Sequence, residues 1–150
     1  MENNIHFRTV IEVLGKPQEH VEESIRGYLD ALKKSEKYEV VKEQIAKAKK
    51  QEEQEFWTIF AELEVKASTV TDMVDFCFDF MPSLIEIISP KEFVFKEMEL
   101  SQFLNDLQAK LHQVDMVAKQ TKMENQHLSR NLTGLLKNYV LVLLKKANLT

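Results

Sequence analysis

The stretch FWTIFAELEV, Phe56 to Val65, decides the fold. Trp57, Ile59, Ala61, Leu63 and Val65 fall on one side of an extended chain, and Phe56, Thr58, Phe60, Glu62 and Glu64 fall on the other. Alternation of that kind has the period of a strand with one face buried. Upstream, IHFRTVIEVL, Ile5 to Leu14, does the same: Ile5, Phe7, Thr9, Ile11 and Val13 share one side, and His6, Arg8, Val10, Glu12 and Leu14 share the other. Gly15-Lys16-Pro17 ends that strand, and proline suits the first turn of a helix. Val21, Ile25, Tyr28, Leu29 and Leu32 then repeat at helical spacing, so residues 17–34 are predicted to form an amphipathic helix. Tyr38 to about Ala48 reads as a more polar strand, and KKQEEQE, Lys49 to Glu55, as a charged turn or hairpin tip.

Downstream, Thr69 with Asp72 three residues on has the spacing of a capping box, with Asp in place of Glu. It opens a second helix through Met73, Val74, Cys77, Phe80 and Met81, which Pro82 stops. LIEII, residues 84–88, is a fourth strand, and EFVF, residues 92–95, is a candidate short extra strand. The order strand, helix, strand, strand, helix, strand is the split βαβ pattern. The fold class is therefore α+β: a ferredoxin-like βαββαβ sandwich, with two helices on one face of an antiparallel sheet, followed by a long C-terminal helix. The division falls between a head, residues 1–98, and a helical segment, residues 99–150.

That segment carries Leu100, Leu104, Leu107, Leu111, Val114, Ala118, Thr121, Asn125, Leu128, Leu132, Leu135, Tyr139 and Val142, at spacings that alternate four and three. This is the heptad of a coiled coil, with Leu100 at d and Leu104 at a. A helix of this length spans on the order of 65 Å. A head of about 100 residues has a radius of gyration of only about 13 Å. The head is too small to bury the whole stripe, so a second copy of the chain is the expected cover. The expected interface is Leu104, Leu107, Leu111, Val114, Asn125, Leu128, Leu132, Leu135 and Tyr139. The seam is leucine-rich at both ends and small or polar in the middle, at Ala118, Thr121 and Asn125. Asparagine at an a position weakens a coiled coil but fixes register and strand number. In a parallel pair Lys110, at g, faces Asp115, at e; most other flanking positions are uncharged. Gly134 lies within SRNLTG, where the helix either continues or turns back as a hairpin.

Charge is uneven. Residues 1–98 carry 13 Lys/Arg against 20 Asp/Glu, and residues 99–150 carry 7 against 4. An acidic head is a poor general surface for nucleic acid, which needs clustered cations. The single Cys77 excludes an intramolecular disulfide and a cysteine metal cluster, and it fits a reducing cytoplasm. MENNIHFRTV has no basic region followed by an apolar one, so no secretion signal is expected. YVLVLL is too short to span a membrane, so no membrane association is expected.

Little in the sequence points to chemistry. Glu124-x-x-His127 has the i, i+3 spacing found in di-iron bundles, but it occurs once and its histidine lies at c, away from the seam. His6, His20 and His112 have no ligand-spaced partner, and three glycines cannot build a phosphate loop. Cys77, within FCFDF, is expected on the core side of its helix with no basic neighbour to activate it. No catalytic residue, metal or cofactor is expected.

Two surfaces remain. Arg8, Val10, Phe56 and Phe60 would share the open face of the sheet, a candidate partner surface. Phenylalanines on an open sheet also suit base stacking, with Lys119, Lys122 and Arg130 on phosphates, although FWTIFAEL lacks the basic residue and glycine of RNP1. The Gly15-Lys16-Pro17 corner is a candidate small-ligand site. The expected function is a non-enzymatic scaffold or adaptor, homodimeric or larger, acting by protein–protein interaction in the cytoplasm. The alternatives are an RNA-binding regulator and a ligand-sensing domain.

Overall fold

The computed structural model describes residues 4–53 and 55–148. Gln54 in the predicted hairpin tip, residues 1–3 of the predicted head and residues 149–150 of the predicted helical segment lie outside the described residues. The chain divides into two units, Met1–Lys96 and Glu97–Thr150.

The first unit runs β1 (Ile5–Gly15), α1 (Gln18–Lys34), β2 (Tyr38–Ile45), β3 (Lys49–Lys50), β4 (Trp57–Ala67), α2 (Val70–Phe80) and β5 (Leu84–Ser89). The sheet order is β2-β4-β1-β5, with β3 also pairing with β4, and all pairs are antiparallel. Leaving out the two-residue β3, this is the ferredoxin-like order, with the first and third long strands side by side at the centre. β1 and β4 pair along their whole length, from Ile5 opposite Ala67 to Gly15 opposite Trp57. Directly opposed residues share a face of the sheet. Ile5, Phe7, Thr9 and Ile11 therefore join Ala61, Leu63, Val65 and Ala67 on one side, where all are buried.

Both helices cover that side. α1 buries Val21, Ile25, Leu29 and Leu32, the stripe its spacing predicts. Pro17 is its N-cap rather than its first helical residue. In α2 the fully buried residue is Phe76, which the apolar spacing through Met73, Val74, Cys77, Phe80 and Met81 does not single out, and Met81 is the exposed C-cap rather than a helical residue. Met73 and Phe80 do pack against the core, and Val74 and Cys77 are half-buried. Phe76 meets Phe7 edge-on at 5.2 Å and stacks on Phe80 at 5.0 Å. Tyr38 adds edge contacts to Phe76 at 5.5 Å and Phe80 at 6.0 Å. Aromatic pairs in these geometries add to the area they bury. Buried Thr9 donates from its hydroxyl to the Leu84 carbonyl at 2.8 Å, tying β5 to β1.

Three local readings change. The charged stretch is a hairpin tip as expected, but its first two residues, Lys49 and Lys50, form a short strand, β3, that pairs with the start of β4 before the turn at Glu52-Glu53. The strand expected over residues 92–95 is irregular chain: Phe93 packs against the core and stacks with Phe95 at 6.4 Å instead of entering a ladder. β4 runs to Ala67, two residues beyond the predicted end.

The second unit is one helix, α3 (Glu97–Asn148), of 52 residues. It passes through Gly134 without a break, so the hairpin alternative does not occur. Among the described residues, none of α3 is buried. No described helix is long and apolar enough to cross a membrane.

Candidate interaction surfaces

The face of the sheet away from α1 and α2 has two halves. In one, His6, Arg8 and Val10 of β1 stand opposite Lys66, Glu64 and Glu62 of β4, and Arg8 and Val10 stand opposite Glu86 and Leu84 of β5. Arg8 Nε donates to Glu62 Oε1 at 2.7 Å, and its Nη1 lies 3.5 Å from Glu86 Oε2. The hydrogen bond to Glu62 is the main reason that the guanidinium pKa rises above its ordinary value. Lys42 of β2 reaches Glu64 at 3.7 Å, and Lys66 reaches Glu39 at 4.0 Å. His6 Nε2 lies 3.4 Å from Glu64 Oε2, within ion-pair distance but without hydrogen-bond alignment. Arg8 thus sits between two carboxylates from neighbouring strands, which offset the charge a phosphate would need.

The other half, reached past Val10, is mainly apolar, with the exposed Glu12 set into it. Phe60 stands opposite Glu12, one diagonal step from Val10, and is 39% exposed. Leu14 and Leu84 are exposed on the same face. Of the four residues proposed as a partner surface, Val10 and Phe60 share this half and Arg8 borders it. Phe56 precedes β4 and lies at the sheet's end, with Lys16 Nζ 5.5 Å from its ring centre. Thr58, expected outward, is only 4% exposed: Gln51, beyond β3, donates to its hydroxyl at 3.0 Å.

Around the Gly15 corner, Lys16 reaches Glu55 at 3.7 Å, and a Cβ on Gly15 would touch Val21 Cγ2 at 3.4 Å. Cys77 is half-buried, and burial raises its thiol pKa, the opposite of an activated nucleophile. Among the described residues no group of three His, Cys, Asp or Glu is placed to hold a metal ion.

On α3, Leu104, Leu111, Val114, Leu128, Leu132, Leu135 and Tyr139 are all exposed. Leu107 is partly covered, and Asn125 is exposed. An unbroken helix keeps these four-three positions in one stripe. Towards the C-terminus the apolar surface widens beyond the stripe, to Leu136, Val140, Leu141, Leu143 and Leu144. Asp115 is paired within the helix to Lys119 at 2.6 Å, and Gln120 donates to Glu124 at 3.0 Å.

Neither a curated protein nor a solved structure matches the chain. Residues 6–139, covering β1 to β5 and most of α3, match the model of the MJ0538 family, and the chain belongs to that family.

Proposed function

We propose that this protein is a non-enzymatic assembly or adaptor protein, which self-associates through α3 and offers its α+β head, residues 1–98, to protein partners. The observation that carries the reading is the stripe from Leu100 to Val142: thirteen four-three positions on one continuous helix, α3, with no residue of that helix buried. Leucines exposed at such density are stable in water only when something covers them. The apolar half of the open face, around Val10 and Phe60, supports a protein partner for the head. Cysteine usage, a single half-buried thiol, fits action in the cytoplasm.

Sedimentation velocity of the full chain at micromolar concentration tests the reading. A dimeric or larger mass is expected, falling to monomer when Leu128→Asp and Leu132→Asp place charges in the seam. A monomeric mass for the unmodified chain would end the proposal.

A further inference from the structure

Resting on that self-association, we infer that the second copy of α3 lies parallel and in register, with Asn125 meeting Asn125. The seam from Leu100 to Val142 is about 65 Å long, and a contact strip about 10 Å wide along it buries roughly 1,300 Å² over the two helices. That exceeds the roughly 1,000 Å² expected of a specific interface. A second α3 is therefore a sufficient cover without help from another protein.

Orientation follows from the middle of the helix, where the leucines give way. In a parallel pair the a positions face each other. Asn125 then meets its own counterpart, and each amide both donates and accepts. Lys110, at g, lies across from Asp115, at e of the next heptad, and symmetry repeats the contact. Asp115 already holds Lys119 of its own helix at 2.6 Å, so the second ammonium joins a carboxylate that is in place.

The antiparallel pair that overlaps every position from Leu104 to Val142 sets a against d. Leu111 then meets Leu135, and Asn125 meets Thr121. In such a pair g faces g and e faces e. At the two-fold axis this puts Glu124 across from Glu124 and Lys122 across from Lys122. Like charges in those positions repel, and the antiparallel register gains no opposite pair in exchange. Sliding the helices by a heptad, to overlap Leu100 to Tyr139, removes that repulsion and sets Asp115 across from Lys122, but it places Asn125 against Val114, where the amide has no partner in the seam. Only the parallel register keeps the whole seam and sets each Asn125 amide against another, and it is this amide pairing that decides the orientation.

Disulfide exchange reads the orientation. Full-length chains carrying Leu111→Cys and chains carrying Leu135→Cys, both on a Cys77→Ala background, are mixed in a glutathione redox buffer. Residues 111 and 135 lie about 36 Å apart along a helix, so no single arrangement joins both like and unlike pairs. Like disulfides, 111 to 111 and 135 to 135, are expected to exceed the mixed one by about tenfold or more. A dominant mixed disulfide overturns the inference, as does a dimer by sedimentation that forms no like disulfide. A monomer by sedimentation instead removes the self-association on which it rests.

Discussion

Tyr38 Oη donates a 3.0 Å hydrogen bond to the backbone carbonyl of Asp72, fastening the first residue of an edge strand to the first turn of α2. The same ring packs edge-on against Phe76 and Phe80. One side chain therefore joins β2 to α2 through both a polar and an apolar contact. Removing only the hydroxyl separates the two. Tyr38→Phe keeps the ring contacts and leaves the Asp72 carbonyl short of a partner, at a cost of about 1 kcal/mol in urea unfolding at neutral pH.

The same residue sets a pH dependence. Burial, followed by the nearby Asp75, Asp79 and Asp72 carboxylates, opposes the phenolate and holds the Tyr38 pKa far above its ordinary value of 10.0. As pH rises, the unfolded chain gives up this proton before the folded one does. The contribution is complete below about pH 10 and is lost progressively above it. Lys37 acts in the same direction: its hydrogen bond to Asp75 raises its pKa above 10.5, so its contribution also fades in alkali. Stability is expected to fall above pH 10, and Tyr38→Phe to show a shallower decline, with the Lys37 part remaining. Equal slopes in the two proteins would contradict the assignment.

α2 has 11 residues, too few to hold as a helix without help. Thr69 Oγ1 accepts from the Asp72 amide at 3.0 Å and donates to Asp72 Oδ2 at 2.7 Å. Both ends of this contact serve the helix, because the carboxylate also lies beside its positive end. Thr69→Ala is expected to lower stability by about 1 kcal/mol, and Thr69→Ser to lose little of it. Urea midpoints of the two variants make the comparison.

The central strands were legible because a sheet covered on one face writes its geometry into alternate residues, and β1 and β4 do so without interruption. α1 was legible for the matching reason. α2 was harder: Val70, Met73, Val74, Phe76, Cys77, Phe78 and Phe80 crowd one short helix, so apolar spacing does not single out Phe76 as the deepest. Thr58 and Arg8 depend on partners distant in sequence. Gln51 returns over β4 through β3, and Glu86 arrives on β5, so neither environment follows from periodicity. The EFVF segment has strand composition but follows the edge strand β5 after Pro90, and Phe93 gains more by packing on the core. In α3 the four-three apolar stripe was legible and the continuity through Gly134 was not, because glycine permits a turn as well as a helix.

Gly27 and Gly134 lie inside helices, and a Cβ on either would meet nothing within 4 Å. Alanine removes the backbone freedom that glycine retains in the unfolded chain and adds no clash. Gly27→Ala and Gly134→Ala are each expected to stabilise their own helix, by up to about 1 kcal/mol. Circular dichroism melts of the full chain report both. A loss of helicity in Gly134→Ala would mean that the chain turns at that residue.

Asn125 is the most polar member of the stripe, flanked along it by Thr121 and Leu128. A buried amide pair at an a position gives up the apolar contact that leucine would make, yet it penalises every register in which the amides miss each other. Asn125→Leu therefore has two consequences that pull apart. The assembly should become more stable, on the order of 1 kcal/mol for each side chain newly buried. Its definition should decline, with species larger than the proposed dimer joining the mass distribution. Sedimentation equilibrium across a concentration series reads both, since affinity and stoichiometry come from the same curves. If Asn125→Leu changed neither, residue 125 would not lie in a seam. If it strengthened the assembly without broadening the masses, strand number would be set elsewhere, by the leucines at Leu128, Leu132 and Leu135 rather than by the amide.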